Sequence, residues 1–103
     1  MSSSVVSPFK KDVYARNAEL YKLLAHPARL EILNILKLQD ASLEQLTAAL
    51  GLAKANISQH LAILKMARVV SVRREGGEAV YSIVNPDIVA PCKILKDLWE
   101  KTE

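Results

Sequence analysis

Lys54, Asn56, Ser58, Gln59 and His60 crowd into one short stretch, interleaved with Ile57 and Leu61. An ordinary surface helix carries mostly Glu and Lys; this one carries forked amides, a hydroxyl and an imidazole. Asn and Gln present a donor and an acceptor side by side and can pair bidentately with adenine, while lysine meets phosphate as a point charge. Ile57, Leu61 and Leu64 recur at helical spacing, so these polar groups sit on a helix whose other side is apolar. Just upstream, Leu43, Leu46 and Leu50 repeat the pattern and end at Gly51. The segment Leu43–Leu64 therefore reads as helix, tight turn, helix, with the second helix composed to lie in a DNA major groove.

The neighbouring charges agree. From Lys54 to Arg74 the charged residues are Lys54, Lys65, Arg68, Arg73 and Arg74, with no acid among them. A basic run beside a polar helix suits the phosphate backbone of double-stranded DNA. The net charge of +3 decides little by itself, because many proteins with no polyanionic partner are equally basic. Base contacts are assigned to Asn56, Ser58 and Gln59 with Lys54 at the helix start. Lys65 and Arg68 take flanking phosphates. Enzyme chemistry is not indicated: no Ser-His-Asp set, paired carboxylates, phosphate-cradling glycine loop or zinc quartet is present. With five aromatic residues, a stacking platform for single-stranded RNA is not apparent. Neither His26 nor His60 has a second soft ligand nearby in sequence, so no metal site and no cofactor is implied.

The positioning elements follow from period and punctuation. At 103 residues the chain has room for one modest core. Residues 1–10 are expected to form a flexible tail and residues 11–103 one domain. Lys11–Ala25 reads as a helix with Val13, Leu20, Tyr21, Leu23 and Leu24 on its apolar side. Pro27 fits the first turn of the next, which runs to Leu38 and is apolar on several sides, as a central helix should be. Ser42 followed by Gln45 is a capping box for the third. The fourth runs from Lys54 to about Ala67. The period then changes to two: Val70 and Val72, a Gly-Gly pair, then Val80–Val84 predict a β-hairpin with arginines beside its tip. Asn85-Pro86-Asp87 starts a last helix to about Lys101, presenting Ile88, Cys92, Leu95 and Trp99 on one side, with Pro91 expected to bend it. The order helix-helix-helix-helix-hairpin-helix, mainly α with a small β-hairpin, is a winged helix-turn-helix. No apolar run approaches the ~18 residues of a membrane span, so no membrane partner is expected. One cysteine, Cys92, and no secretory pattern place the chain in the reducing cytoplasm.

Three pieces together, LLAHPARLEILNIL, LTAALGLAKANISQHLAILKMARVV and VRREGGEAVYSI, resemble the arsenic-repressor-like (ArsR/SmtB) family over Leu20–Val84. The resemblance implies a homodimeric repressor on an inverted-repeat operator, with the wing served by Arg73 and Arg74. It implies dimerisation through the first and last helices, here Val13, Leu20, Ile88, Cys92, Leu95 and Trp99; the bland alternative for Trp99 and its neighbours is intrachain core. His60 matches the family's histidine, with a role toward phosphate or a neighbouring cap. Ala53 departs from the serine that often caps this helix. The family's Cys-x-Cys pattern falls on Ser42-Leu43-Glu44, which lacks both cysteines. Its His-rich pattern on the last helix would open at Asp87, finds Val89 as the partner, and leaves only Glu100 and Glu103 for later ligands. Cys92 is the remaining candidate sensor, as a redox-responsive thiol across the two-fold axis or as a small packing hydrophobe. A rival of another class is a winged helix used for protein contact without DNA.

Overall fold

A computed structural model describes residues 4–102. Helices α1 (Lys11–Leu24) and α2 (Pro27–Leu38) are followed by a two-residue strand β1 (Ala41–Ser42), then α3 (Leu43–Leu50) and α4 (Lys54–Met66). Strands β2 (Val70–Glu75) and β3 (Glu78–Ile83) form the hairpin, and a 3-10 turn (Pro86–Val89) leads into α5 (Ala90–Thr102). The arrangement is the expected winged helix-turn-helix.

Local chemistry explains several boundaries. Pro27 stands at the start of α2, where its missing N–H is no loss. Ser42 caps α3 reciprocally: its Oγ accepts from the Gln45 N–H at 3.1 Å, and Gln45 Oε1 accepts from the Ser42 N–H at 2.8 Å. Gly51 ends α3 in the left-handed region, φ 67°. The hairpin closes on Gly76 and Gly77, φ 55° and 84°, the two positive angles that a type I′ turn needs. Glu75 and Glu78 pair across it.

Ile32, Leu33 and Leu36 of α2, Leu46 of α3, and Ile57, Leu61 and Leu64 of α4 are buried in one core, closed by Val69, Val70 and Val89. The sheet order is β1-β3-β2, and β1 pairs antiparallel with β3, Ala41 opposite Tyr81 and Ser42 opposite Val80. Two residues of strand have no visible period, so β1 is an addition to the expected hairpin. It ties the start of the helix-turn-helix to the wing.

Other differences are instructive. The last helix does not begin at Pro86: a 3-10 turn capped by Asn85, whose Oδ1 accepts from the Asp87 N–H at 3.0 Å, comes first. Pro91 therefore falls in the first turn of α5, where it removes no needed donor, and does not bend the helix interior. Tyr21 and Leu38, counted on apolar faces, are 65% and 85% exposed. Of the proposed tail, residues 1–3 lie outside the described residues. Ser7 lies against α1, its Oγ on Tyr14 Oη at 2.8 Å, and Phe9 meets the Tyr14 ring edge-on at 6.0 Å.

α4 ends in a Schellman motif. The Val69 N–H bonds the Leu64 carbonyl and the Arg68 N–H the Lys65 carbonyl, both at 2.9 Å. Arg68 occupies the left-handed position, φ 63°, where glycine is usual. Holding a side chain there costs ~1–2 kcal/mol, partly offset by glycine's greater freedom when unfolded. Arg68→Gly is therefore expected to stabilise the chain by ~0.5–1 kcal/mol in chemical denaturation. A loss of stability would show that the Arg68 side chain makes a contribution larger than the strain.

Candidate nucleic-acid interface

Burial of Ile57, Leu61 and Leu64, each at most 1% exposed, turns the other side of α4 outward. Lys54, Asn56, Ser58 and Gln59 are exposed and His60 is half-buried. Asn56, Ser58 and Gln59 have no side-chain hydrogen bond within the described residues, so three of the residues assigned to base reading are unengaged. Ala53 offers no side-chain cap to α4, which leaves first-turn N–H groups open at the positive end of the helix dipole.

The basic residues are not equally free. Lys54 Nζ lies 2.8 Å from Glu44 Oε1 in the first turn of α3. That hydrogen bond, with one from the Glu44 backbone, holds the Glu44 carboxyl below its usual range. Arg73 is tied more heavily, with Nη1 2.7 Å from Asp40 Oδ2 and Nε 2.6 Å from Glu75 Oε2. Nη1 also donates to Ser82 Oγ at 3.2 Å. The Arg73 hydrogen bond, then that from Ser82, lowers the Asp40 pKa. Arg73 thus braces the wing against the segment after α2. Arg74, one residue on, points to the other face of the strand. It is exposed, and its Nη1 donates to the Gly77 carbonyl at 3.0 Å at the wing tip. Of the two wing arginines, Arg74 has no acidic partner among the described residues. Lys65 and Arg68 are exposed at the end of α4.

One residue of this region was not singled out from sequence. Arg29 of α2 is 8% exposed, and its Nε donates to His60 Nδ1 at 3.1 Å, its Nη1 to the Leu23 carbonyl at 3.0 Å. The available signal was a full charge three residues before Ile32 on a helix apolar on several sides.

The residues assigned to dimerisation divide. Leu20, Ile88 and Cys92 pack against the core of their own chain. Val13 is half-buried. Leu95 and Trp99 are 44% and 65% exposed, and Ile94 and Leu98 join them on the same arc of α5. The opposite arc is polar and internally paired, Lys93 with Asp97 at 2.7 Å and Lys96 with Glu100 at 3.1 Å. Cys92 Sγ accepts from Asn34 Nδ2 at 3.4 Å and is half-buried. No group of three or more His, Cys, Asp or Glu side chains is arranged to hold a metal ion among the described residues; Glu103 lies outside them. Ser42, at the first of the family's cysteine positions, spends its hydroxyl in the α3 cap.

Known proteins share this arrangement. The family model described as "Bacterial regulatory protein, arsR family" matches residues 26–72, from the start of α2 into the wing. The HTH-type transcriptional regulator Rv0081 of Mycobacterium tuberculosis is 47% identical over 77 residues, covering 74% of this chain and 68% of that protein. The chain belongs to the arsR family. Within that family, the transcriptional repressor PagR of Bacillus anthracis is 37% identical over 83 residues, 80% of this chain and 83% of PagR. The crystal structure of Rv0081 superposes with a TM-score of 0.74 at 37% identity, covering 90% of this chain and 94% of that one. The solution structure of the homodimeric winged helix-turn-helix domain of Mb0332 from Mycobacterium bovis gives 0.73 at 26% identity, covering 97% and 93%. As a member of the family the chain is a DNA-binding transcriptional regulator and not an enzyme. No helix among the described residues is long and apolar enough to cross a membrane.

The half-buried His60 yields a pH prediction. Desolvation, then the Arg29 charge, then His26, lower its pKa below the ordinary 6.5. Between the folded value and 6.5 the unfolded chain binds more protons, so stability from this group is full above 6.5 and is lost as pH falls through the folded value. Urea midpoints are expected to drop as pH falls below the ordinary 6.5, with the drop reduced in His60→Asn. An identical pH slope in both proteins would remove His60 from the account.

Proposed function

We propose that this arsR-family protein is a homodimeric repressor that reads an inverted-repeat operator in double-stranded DNA. The observation that carries the reading is the division of α4: a buried apolar side that fixes the helix, and an exposed side of Lys54, Asn56, Ser58 and Gln59 with no competing intrachain hydrogen bond on the amides and hydroxyl. Asn56, Ser58 and Gln59 read base edges, and Lys54 exchanges Glu44 for a phosphate on binding. Arg74 at the wing tip, with Lys65 and Arg68, takes backbone phosphates. His60 serves the backbone from the margin of the helix. Arg73 contributes chiefly by holding the wing in place.

The dimer reading rests on shape as well as kinship. A 100-residue globule has a radius of gyration of about 13 Å. This chain measures 17.1 Å, with extents of 67 × 36 × 20 Å. α1 and α5 reach the core only through Leu20, Leu23, Leu24 and Cys92, beside Ile88 and Val89 of the 3-10 turn, and carry exposed apolar groups beyond. Ile94, Leu95 and Leu98 of α5 with Tyr14 and Tyr21 of α1 form the surface that a second copy would cover, with Val13, Leu20, Ile88, Cys92 and Trp99 alongside. PagR is named a repressor and Mb0332 a homodimer, and both descriptions support the same reading here. The reducing cytoplasm, where such DNA is found, is the proposed location.

Two experiments check the assignments. Gln59→Ala is expected to cost ~1–3 kcal/mol on the operator, relax preference at one base position and leave random-DNA affinity unchanged. Arg74→Ala is expected to weaken binding to all sequences and reduce the salt slope by about one. Equal losses on specific and random DNA for both variants would contradict the division. Separately, Ile94→Glu with Leu98→Glu is expected to sediment as a monomer that keeps its helical content and no longer binds the full operator. A double variant that stays dimeric would move the interface elsewhere.

A further inference from the structure

Arg29 is an anomaly in the core. The residue is nine-tenths buried, yet its guanidinium forms no ion pair among the described residues. Burying a charge without a counterion is costly, so its neutral acceptors carry the arrangement. One is the Leu23 carbonyl at 3.0 Å, in the last turn of α1, where carbonyls lack helical partners. The other is His60 Nδ1 on α4, at 3.1 Å.

That second bond determines the state of the imidazole. A nitrogen that accepts from a guanidinium N–H carries a lone pair, so a neutral His60 must hold its proton on Nε2. Among the described residues Nε2 has no partner, and no buried side-chain nitrogen or oxygen is left unpartnered. Nε2–H therefore reaches solvent. It does so one residue after Gln59, at the margin of the outward face of α4.

We propose that Arg29 is a positioning residue for DNA binding: its guanidinium locks His60 as the neutral Nε2–H tautomer and aims that N–H at the DNA backbone. The same guanidinium holds the end of α1, so the donor on the recognition helix is braced against the helix proposed to dimerise. The inference rests on the DNA-binding reading above. The surroundings favour the neutral ring. The titratable groups facing it are Arg29 from α2 and His26 from the α1–α2 junction, whose ring centroid lies 5.8 Å away. α3 supplies a single titratable group, Glu44, which is engaged by Lys54. On β2, Arg73 and Glu75 pair with each other and Arg74 is bonded to Gly77. No acid among the described residues compensates a second proton on His60, and a proton at Nδ1 would expel the Arg29 bond.

The test begins on the DNA-free protein, with imidazole nitrogen NMR at neutral pH. Wild type is expected to show His60 with Nε2 protonated and Nδ1 bare. Arg29→Met, which keeps the stem and removes the fork, is expected to show mixed tautomers and about tenfold weaker operator binding. His60→Asn guards against a folding artefact, because its Oδ1 can still accept from Arg29 while the Nε2 donor is gone. It is expected to keep the fold and lose the same ~10-fold in affinity. An Nδ1–H or doubly protonated His60 in wild type would overturn the proposal, as would unaltered tautomer and affinity in Arg29→Met, or full operator affinity in His60→Asn. The expected tautomer in a wild-type protein that binds no DNA would instead overturn the DNA-binding reading.

Discussion

The outward-facing residues of α4 take their direction from three that point inward. Ile57, Leu61 and Leu64 are essentially inaccessible, and burying each side chain stabilises by ~1.5–3 kcal/mol. Rolling α4 about its axis would expose them and bury Ser58 and Gln59 without partners, an unfavourable exchange on both counts. α2 supplies the opposing surface with Ile32, Leu33 and Leu36, and α3 closes the side with Leu46. The polar face is thus rigid because the apolar face is packed. Preorganised amides can discriminate bases only when their backbone is held in this way.

The same economy explains the shape. A domain this small cannot bury every helix on one core. α2, α3 and α4 share it, while α1 reaches it through Leu20, Leu23 and Leu24 and α5 through Cys92, beside Ile88 and Val89 of the 3-10 turn. In the proposed dimer a second copy covers their remaining apolar surface, and its symmetry would double the number of bases read. The wing is held on two sides. β1 pairs with β3, and Asp40 engages Arg73. Both lie in the segment between α2 and α3, so wing and helix-turn-helix are oriented together.

Legibility in the sequence followed the range of the forces involved. Ser42 and Gln45, Gly51, and Gly76 with Gly77 act over a few residues, and each marked its boundary in advance. The core face of α4 was equally plain from Ile57, Leu61 and Leu64. β1 was not, because Ala41 and Ser42 become a strand only through Tyr81 and Val80, far along the chain. The ties of Arg73 to Asp40 and of Arg29 to His60 are similarly remote, and a run of like charges cannot show which cations are already engaged. Pro91 was misplaced because the 3-10 turn delays the start of α5. Ile94 and Leu98 were missed as surface residues because a single apolar stripe was traced where α5 presents a wider arc.

Hydroxyl-radical footprinting on an affinity-selected DNA fragment tests the central claim most directly, that α4 is a major-groove reader presented twice by a symmetric dimer. The account predicts two symmetric protected segments on one face of the duplex, centred about one helical turn or a whole multiple of it apart. Weaker protection from the wing should flank each segment. A single half-site at saturating protein, or uniform protection that follows salt and ignores sequence, would contradict it.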